Sequence, residues 1–143
     1  MSTETTADGG DALVGIVLVS HSGAVADSVA ELAVGLAGGS AKAPVAAAGG
    51  TPDGGLGTSA ELITEAARTV DRGAGVAVLV DLGSAVLTVK ALLAEGDELP
   101  DGTRLVDAPF LEGAVAAVVT ASTGADLDAV ATAAGEAYSY RKE

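Results

Sequence analysis

The sequence predicts a single α/β domain, a mostly parallel β-sheet with helices on both faces, over residues 12–143. Three observations predict it. Short apolar runs rich in branched residues alternate with segments of helical periodicity. No internal repeat or linker interrupts the alternation. A chain of 143 residues, 49% of them hydrophobic, is long enough and apolar enough to bury one core. Residues 1–11 (MSTETTADGGD) are polar and read as a flexible acidic tail.

The elements follow in order. Leu13–Val19 (LVGIVLV) is a continuous apolar run, as in a strand buried on both faces. It stops at Ser20-His21-Ser22-Gly23. Val25, Val29, Leu32 and Leu36 then recur at helical spacing, with Asp27 and Glu31 off that stripe, and Gly38-Gly39 ends the helix. Pro44–Ala48 (PVAAA) is a second strand, weaker because alanine is a poor strand former. A glycine-rich loop follows, Gly49-Gly50-Thr51-Pro52-Asp53-Gly54-Gly55-Leu56-Gly57. Thr58 or Ser59 caps the next helix, whose apolar face is Leu62, Ile63, Ala66 and Val70. Gly75–Val80 (GVAVLV) is the third strand, ending at Asp81-Leu82-Gly83-Ser84, and a helix runs on to about Glu95. Thr103–Asp107 (TRLVD) is a short fourth strand, and Phe110–Ala121 and Asp126–Tyr140 are helices.

Composition excludes several function classes. Without cysteine there are no disulfides, thiolate metal sites or cysteine nucleophiles. A single histidine removes every metal site that needs two imidazoles. Seven Lys plus Arg against 20 Asp plus Glu give a net charge of −13, which repels nucleic-acid phosphates and anionic membranes. The acidity reads as adaptation to a salty cytoplasm or as a steering field for a basic partner. No segment has the roughly 18–20 unbroken apolar residues of a membrane span, and the N-terminus lacks a signal-peptide pattern. A cytoplasmic location is the expectation.

Right-handed crossovers place the loops after the strands along one sheet edge, where ligand sites form in such folds. The loops at 20–23, 49–59 and 81–84 are all of this kind, so His21, Thr58, Ser59, Asp81 and Ser84 are expected to converge. A lone histidine is usually a satisfied structural or surface residue. At a strand end on this edge, a neutral imidazole can instead act as base or nucleophile. A carboxylate accepting its Nδ1–H would leave Nε2 with a free lone pair, and Asp81 is the best-placed candidate. Asp81 reads equally well as a solvated strand end or a helix cap.

Gly55-Leu56-Gly57-Thr58-Ser59-Ala60 fits the dinucleotide pattern G-x-G-x-x-A only superficially, because a long loop precedes it in place of a tight turn. No phosphate-binding P-loop motif is present, so a self-contained ATPase is not expected. The loop is either a surface connection ending in a helix cap or an anion site built from the amides of Gly57, Thr58 and Ser59. Gly83 and Ser84 would offer a second such terminus. Ser20 and Ser22 read as hydrogen-bonding or turn residues. Gly113–Val119 (GAVAAVV) is either a buried core helix or a close-packed subunit contact.

Four segments carry a family resemblance: Val19-Ser20-His21-Ser22; the block Gly49 to Ser59 (GGTPDGGLGTS); Val78-Leu79-Val80-Asp81-Leu82-Gly83-Ser84-Ala85; and Val106-Asp107-Ala108-Pro109 with Glu112-Gly113-Ala114. Together they extend the resemblance over about residues 12 to 140. The sequence resembles the phosphotransfer subunits DhaM of phosphoenolpyruvate-dependent dihydroxyacetone kinase, whose domain is similar to mannose-type enzyme IIA. The resemblance implies a phosphotransferase component. His21 would accept phosphate from the phosphocarrier protein HPr and pass it to ADP held by a partner subunit, DhaL. The ATP so formed would phosphorylate dihydroxyacetone bound to a third subunit, DhaK. Nucleotide and Mg would reside on DhaL, with no cofactor or metal in this subunit. The resemblance also implies a homodimer, and it puts Asp81 where related domains place a carboxylate beside the active histidine. A mannose-type sugar transporter IIA is the nearest alternative, with the same histidine chemistry and a different acceptor.

Overall fold

Strand follows helix through the chain, and every strand pair is parallel. The computed structural model describes residues 12–38 and 43–143. The expected tail over residues 1–11 and Gly39 of the expected helix stop lie outside the described residues. The strands are β1 (Gly15–Ser20), β2 (Val45–Gly49), β3 (Val76–Val80) and β4 (Thr103–Leu105). The helices are α1 (Gly23–Leu36), α2 (Ala60–Val70), α3 (Gly83–Glu95), α4 (Phe110–Ser122) and α5 (Leu127–Glu136). Strand order in the sheet is β2-β1-β3-β4. The central strand β1 pairs Leu18 with Ala47 on one side and with Leu79 on the other.

The two-residue period of the strands divides the core. Ile16, Leu18, Ala77 and Leu79 face one way and pack with buried residues of α1, α4 and α5, among them Ala33, Ala117, Val118 and Val130. Val17, Val19, Val76 and Val78 face the other way, against Ile63, Ala67 and Val70 of α2 and Val89 and Leu92 of α3. Burying one such aliphatic side chain is worth about 1.5–3 kcal/mol, so these strands hold the domain together through both faces.

One predicted stripe is wrong. Val25, Leu32 and Leu36 of α1 are exposed, and the helix buries Ala26 and Ala33 instead. The cause is close packing: the Cβ that Gly23 lacks would stand 3.1 Å from the carbonyl oxygen of Gly49 on β2. A helix seated this near the sheet turns its smallest side chains inward. The glycine- and alanine-rich stretch of α4 is likewise mostly core. Gly113, Ala114, Ala117 and Val118 are buried within the chain, and only Val119 of that stretch is exposed. At the C-terminus, α5 stops at Glu136 and a 3-10 turn, Ala137–Ser139, replaces the expected last helical turn. β4 ends at Leu105, short of Asp107, where the chain turns toward Pro109 and the start of α4.

Among the described residues, no helix is long and apolar enough to cross a membrane.

Candidate phosphoryl-transfer site

The carboxyl edge of the sheet brings the three loops together. β1 ends at Ser20, which is fully buried. Its hydroxyl donates to Oδ2 of Asp81 at 2.6 Å and accepts the Ser22 amide at 3.1 Å. The His21 amide approaches the same Oδ2 at 3.4 Å, and the Leu82 amide donates to Oδ1 at 2.7 Å. On its other side, the His21 carbonyl accepts the Gly57 amide at 2.8 Å. The backbone of His21 is thus held by Asp81 through its N–H and by the glycine-rich loop through its C=O. Ser22 caps α1, its hydroxyl accepting the Val25 amide.

The imidazole is half-buried. Its Nδ1 lies 3.3 Å from the Ser84 hydroxyl, which lies 3.1 Å from the Thr58 hydroxyl. This corrects the expected partner of Nδ1, which is Ser84 and not Asp81. The register explains it. Val19 stands opposite Val80, so the next residues along the two parallel strands, Ser20 and Asp81, are neighbours. The carboxylate meets the serine beside it, while His21 lies one residue further on and reaches the first turn of α3.

One other expected ligand is already occupied: the Gly57 amide is bound to the His21 carbonyl. The Ser59 hydroxyl caps α2 by accepting the Leu62 amide at 3.2 Å, a bond that leaves its own O–H able to donate. At the ring itself lie the Thr58 and Ser84 hydroxyls and the N-terminus of α3. Leu82 gives that helix no side-chain cap, and its first turn contains no acidic residue. Amides at an uncapped N-terminus favour a negative group.

The glycine-rich loop has steric reasons for its composition. A side chain at Gly49 would overlap the carbonyl of Ser22, and Gly50, at φ +70, closes the turn through a bridge to Thr58. At the loop tip the Thr51 hydroxyl bonds Asp53, and with the Gly55 amide it holds that carboxyl below its ordinary range.

The sequence reading passed over a cleft of about 560 Å³ beside Asp81, walled by Leu82, Val86, Leu105 and Phe110, with Lys90 and Tyr138 among its lining. The one signal for it was a large apolar residue, Leu82, between Asp81 and the start of α3. No group of three His, Cys, Asp or Glu that could hold a metal occurs among the described residues.

Known proteins resemble this chain in sequence and in fold. Residues 15–131 match the family model for the PTS system fructose IIA component. The chain is 38% identical over 133 residues to the "PEP-dependent dihydroxyacetone kinase, phosphoryl donor subunit DhaM" of Escherichia coli K12, aligning with 92% of this chain and spanning only 28% of that longer protein. It is 34% identical to the Listeria innocua "PEP-dependent dihydroxyacetone kinase 2, phosphoryl donor subunit DhaM", covering 82% of this chain and 94% of the relative. Among solved structures it resembles the protein of unknown function EF1359, with a TM-score of 0.77 and 30% identity over 91% of this chain and 97% of that one. By sequence and by fold, the chain belongs to the PTS fructose IIA component family.

Proposed function

We propose that this chain is the phosphoryl-donor subunit of a phosphoenolpyruvate-dependent dihydroxyacetone kinase, and that His21 is its phosphorylated residue. One observation carries the proposal: His21 is half-buried at the strand edge with Nδ1 engaged by Ser84. If Nδ1 carries the proton and donates it to the serine, the Nε2 lone pair faces outward as the nucleophile. In the loading step Nε2 attacks the phosphorus of a phosphohistidine on HPr. The P–N bond to the carrier breaks as the P–Nε2 bond forms, and the Nδ1 proton stays in place. In the second step the terminal phosphate oxygen of ADP on DhaL attacks the same phosphorus, and the electron pair returns to Nε2. Such a transfer needs positioning and charge stabilisation more than covalent help. The Asp81 and Gly57 contacts supply positioning through the His21 backbone. The uncapped first turn of α3 and the Thr58 and Ser84 hydroxyls supply donors to the transferred group.

The names of the relatives favour dihydroxyacetone kinase over a sugar transporter as the system served. The proposal includes a homodimer. Leu32 and Leu36 of α1 and Leu111 of α4 leave an apolar groove of about 320 Å³, bordered by Tyr140, which a second copy would cover.

The test is reconstitution with phosphoenolpyruvate, enzyme I, HPr, DhaL and DhaK, following dihydroxyacetone phosphate. The expected result is turnover that depends on this chain and is lost in His21→Ala. Acid-labile phosphate still forming on the His21→Ala protein would overturn the assignment.

A further inference from the structure

We infer that the groove between α2 and the segment from Leu92 to Glu98 binds a linear polyamine, a small ligand whose positive charges are spread along an alkyl chain. The groove has a volume of about 640 Å³, the size of a small-ligand site, and shares no residue with the cluster around His21.

A buried hydroxyl without a partner carries the inference. Among the described residues two polar side chains are buried, Ser20 and Thr64. Ser20 is satisfied, donating to Asp81 and accepting from the Ser22 amide. Thr64 lies in the middle of α2, is only 8% exposed, lines the groove and has no hydrogen-bond partner among the described residues. Other helical threonines resolve the same problem locally. The Thr69 hydroxyl donates to the Glu65 carbonyl, and the Thr88 hydroxyl to the Ser84 carbonyl. Thr64 makes no such bond to the carbonyl one turn before it. An unmet buried hydroxyl destabilises a fold, and native proteins keep few of them. A ligand seated in the groove supplies the missing bond.

Charge selects the ligand. Glu61, Glu65 and Glu98 border the groove, and none of them is in an ion pair among the described residues. The one cation lining it, Arg68, donates to the Glu98 backbone carbonyl at 3.1 Å and not to a carboxylate. Three carboxylates against one guanidinium leave the groove negative, which disfavours an anion. A single metal ion does not match either, because no three acidic side chains converge on one point among the described residues. Glu61 and Glu65 stand one turn apart on α2, about 5–6 Å between Cβ atoms, and Glu98 lies beyond the end of α3. Ammonium groups joined by short alkyl spacers fit charges spread in this way. Leu92 gives the alkyl chain an apolar contact, and the Thr64 oxygen accepts from an ammonium, which has only donors.

The test titrates spermidine into the full chain by calorimetry at fixed ionic strength, and saturable binding is expected. Thr64→Val keeps the side-chain shape and deletes the hydroxyl, so it should move two readouts in opposite directions. The melting temperature of the ligand-free protein should rise, and spermidine affinity should fall by about tenfold. Glu61→Gln/Glu65→Gln should weaken binding by at least as much. Asp27→Asn/Glu31→Gln removes an acidic pair of the same spacing from α1 and should leave affinity within about twofold. Equal losses in the two acidic pairs overturn the inference, because binding is then diffuse attraction to an acidic surface. A Thr64→Val protein that binds spermidine like the unaltered chain overturns it as well, since the hydroxyl is then a packing defect and not part of a site. Heats that do not saturate overturn it outright.

Discussion

The Ser20 hydroxyl and the Asp81 carboxylate, 61 residues apart in sequence, meet at 2.6 Å where the two central parallel strands end. Asp81 reaches His21 through this bond and through the backbone amide, not through the ring. Ser20 is therefore a positioning residue. Ser20→Ala leaves the Ser22 amide without its acceptor and Asp81 Oδ2 with only the longer 3.4 Å contact. Losing a partner from buried polar groups costs about 1–3 kcal/mol. The expected outcome is an unfolding free energy lowered by that much, together with slower phosphoryl transfer. A variant of unchanged stability and unchanged rate would show that the bond organises nothing.

Ser84→Ala separates tautomer control from folding. Ser84 is exposed, so stability should shift by no more than about 0.5 kcal/mol. Its hydroxyl is the partner of His21 Nδ1, so removal frees the ring to populate the tautomer protonated at Nε2. Ring-nitrogen NMR should show Nδ1–H dominant in the unaltered chain and a mixture in the variant. Loading of His21 should fall by about tenfold, a barrier change of about 1.4 kcal/mol. An unaltered chain protonated mainly at Nε2 would count against the mechanism.

Two glycine substitutions a short distance apart should behave oppositely. At Gly49 a methyl group would overlap the Ser22 carbonyl, which is fixed backbone at the N-cap of α1. Gly49→Ala should destabilise by about 1–3 kcal/mol and slow His21 loading. At Gly83 nothing lies within 4 Å of the position a Cβ would take. Gly83→Ala keeps the backbone amide and should stabilise α3 slightly, by about 0.5–1 kcal/mol. Thermal unfolding of the pair reads both signs.

The strand–helix alternation was legible in the sequence because parallel strands buried on both faces are short branched runs, and all four runs became strands. The convergence of His21, Thr58 and Ser84 followed from topology alone, since loops after parallel strands share an edge. What stayed hidden was set by register and by spacing between layers. Which neighbour takes Nδ1 depends on Val19 lying opposite Val80, a one-residue detail that no motif encodes. The inward face of α1 depended on how closely it sits to the sheet, so the larger apolar residues misled and the alanines decided. The fate of the Gly57 amide was hidden for a similar reason. It could bind an anion or close a local bond, and local closure won.

The acidic surface gives a prediction about salt. Only two ion pairs, Arg104–Asp128 and Lys142–Glu112, occur among the described residues, and both are exposed, against 20 acidic residues in the chain. Self-repulsion should therefore dominate surface electrostatics. Raising salt from low to molar concentration shortens the screening length to about 3 Å and should raise the melting temperature by several degrees. Superimposable melts in both conditions would remove salt adaptation as an explanation of the composition.

The cleft beside the site has a pH-sensitive wall. The Tyr138 hydroxyl donates to Asp107 at 2.6 Å, and this bond to a carboxylate is the main reason its phenol titrates above the ordinary value of 10.0. A group whose folded pKa is raised contributes stability that is fully present below its unfolded pKa and is lost as pH rises through the folded one. The Tyr138–Asp107 bond should thus persist through neutral pH and up to about pH 10, then break as tyrosinate forms beside the carboxylate. Tyr138 is 62% exposed, so the effect on global stability is small and the titration itself is the readout. The Tyr138 share of the tyrosinate absorbance should therefore appear above pH 10. Asp107→Ala should bring that share to lower pH, and Tyr138→Phe should delete it. If Asp107→Ala leaves the absorbance curve where it was, the C-terminal turn is not fastened to the cleft in the way the Asp107 contact requires.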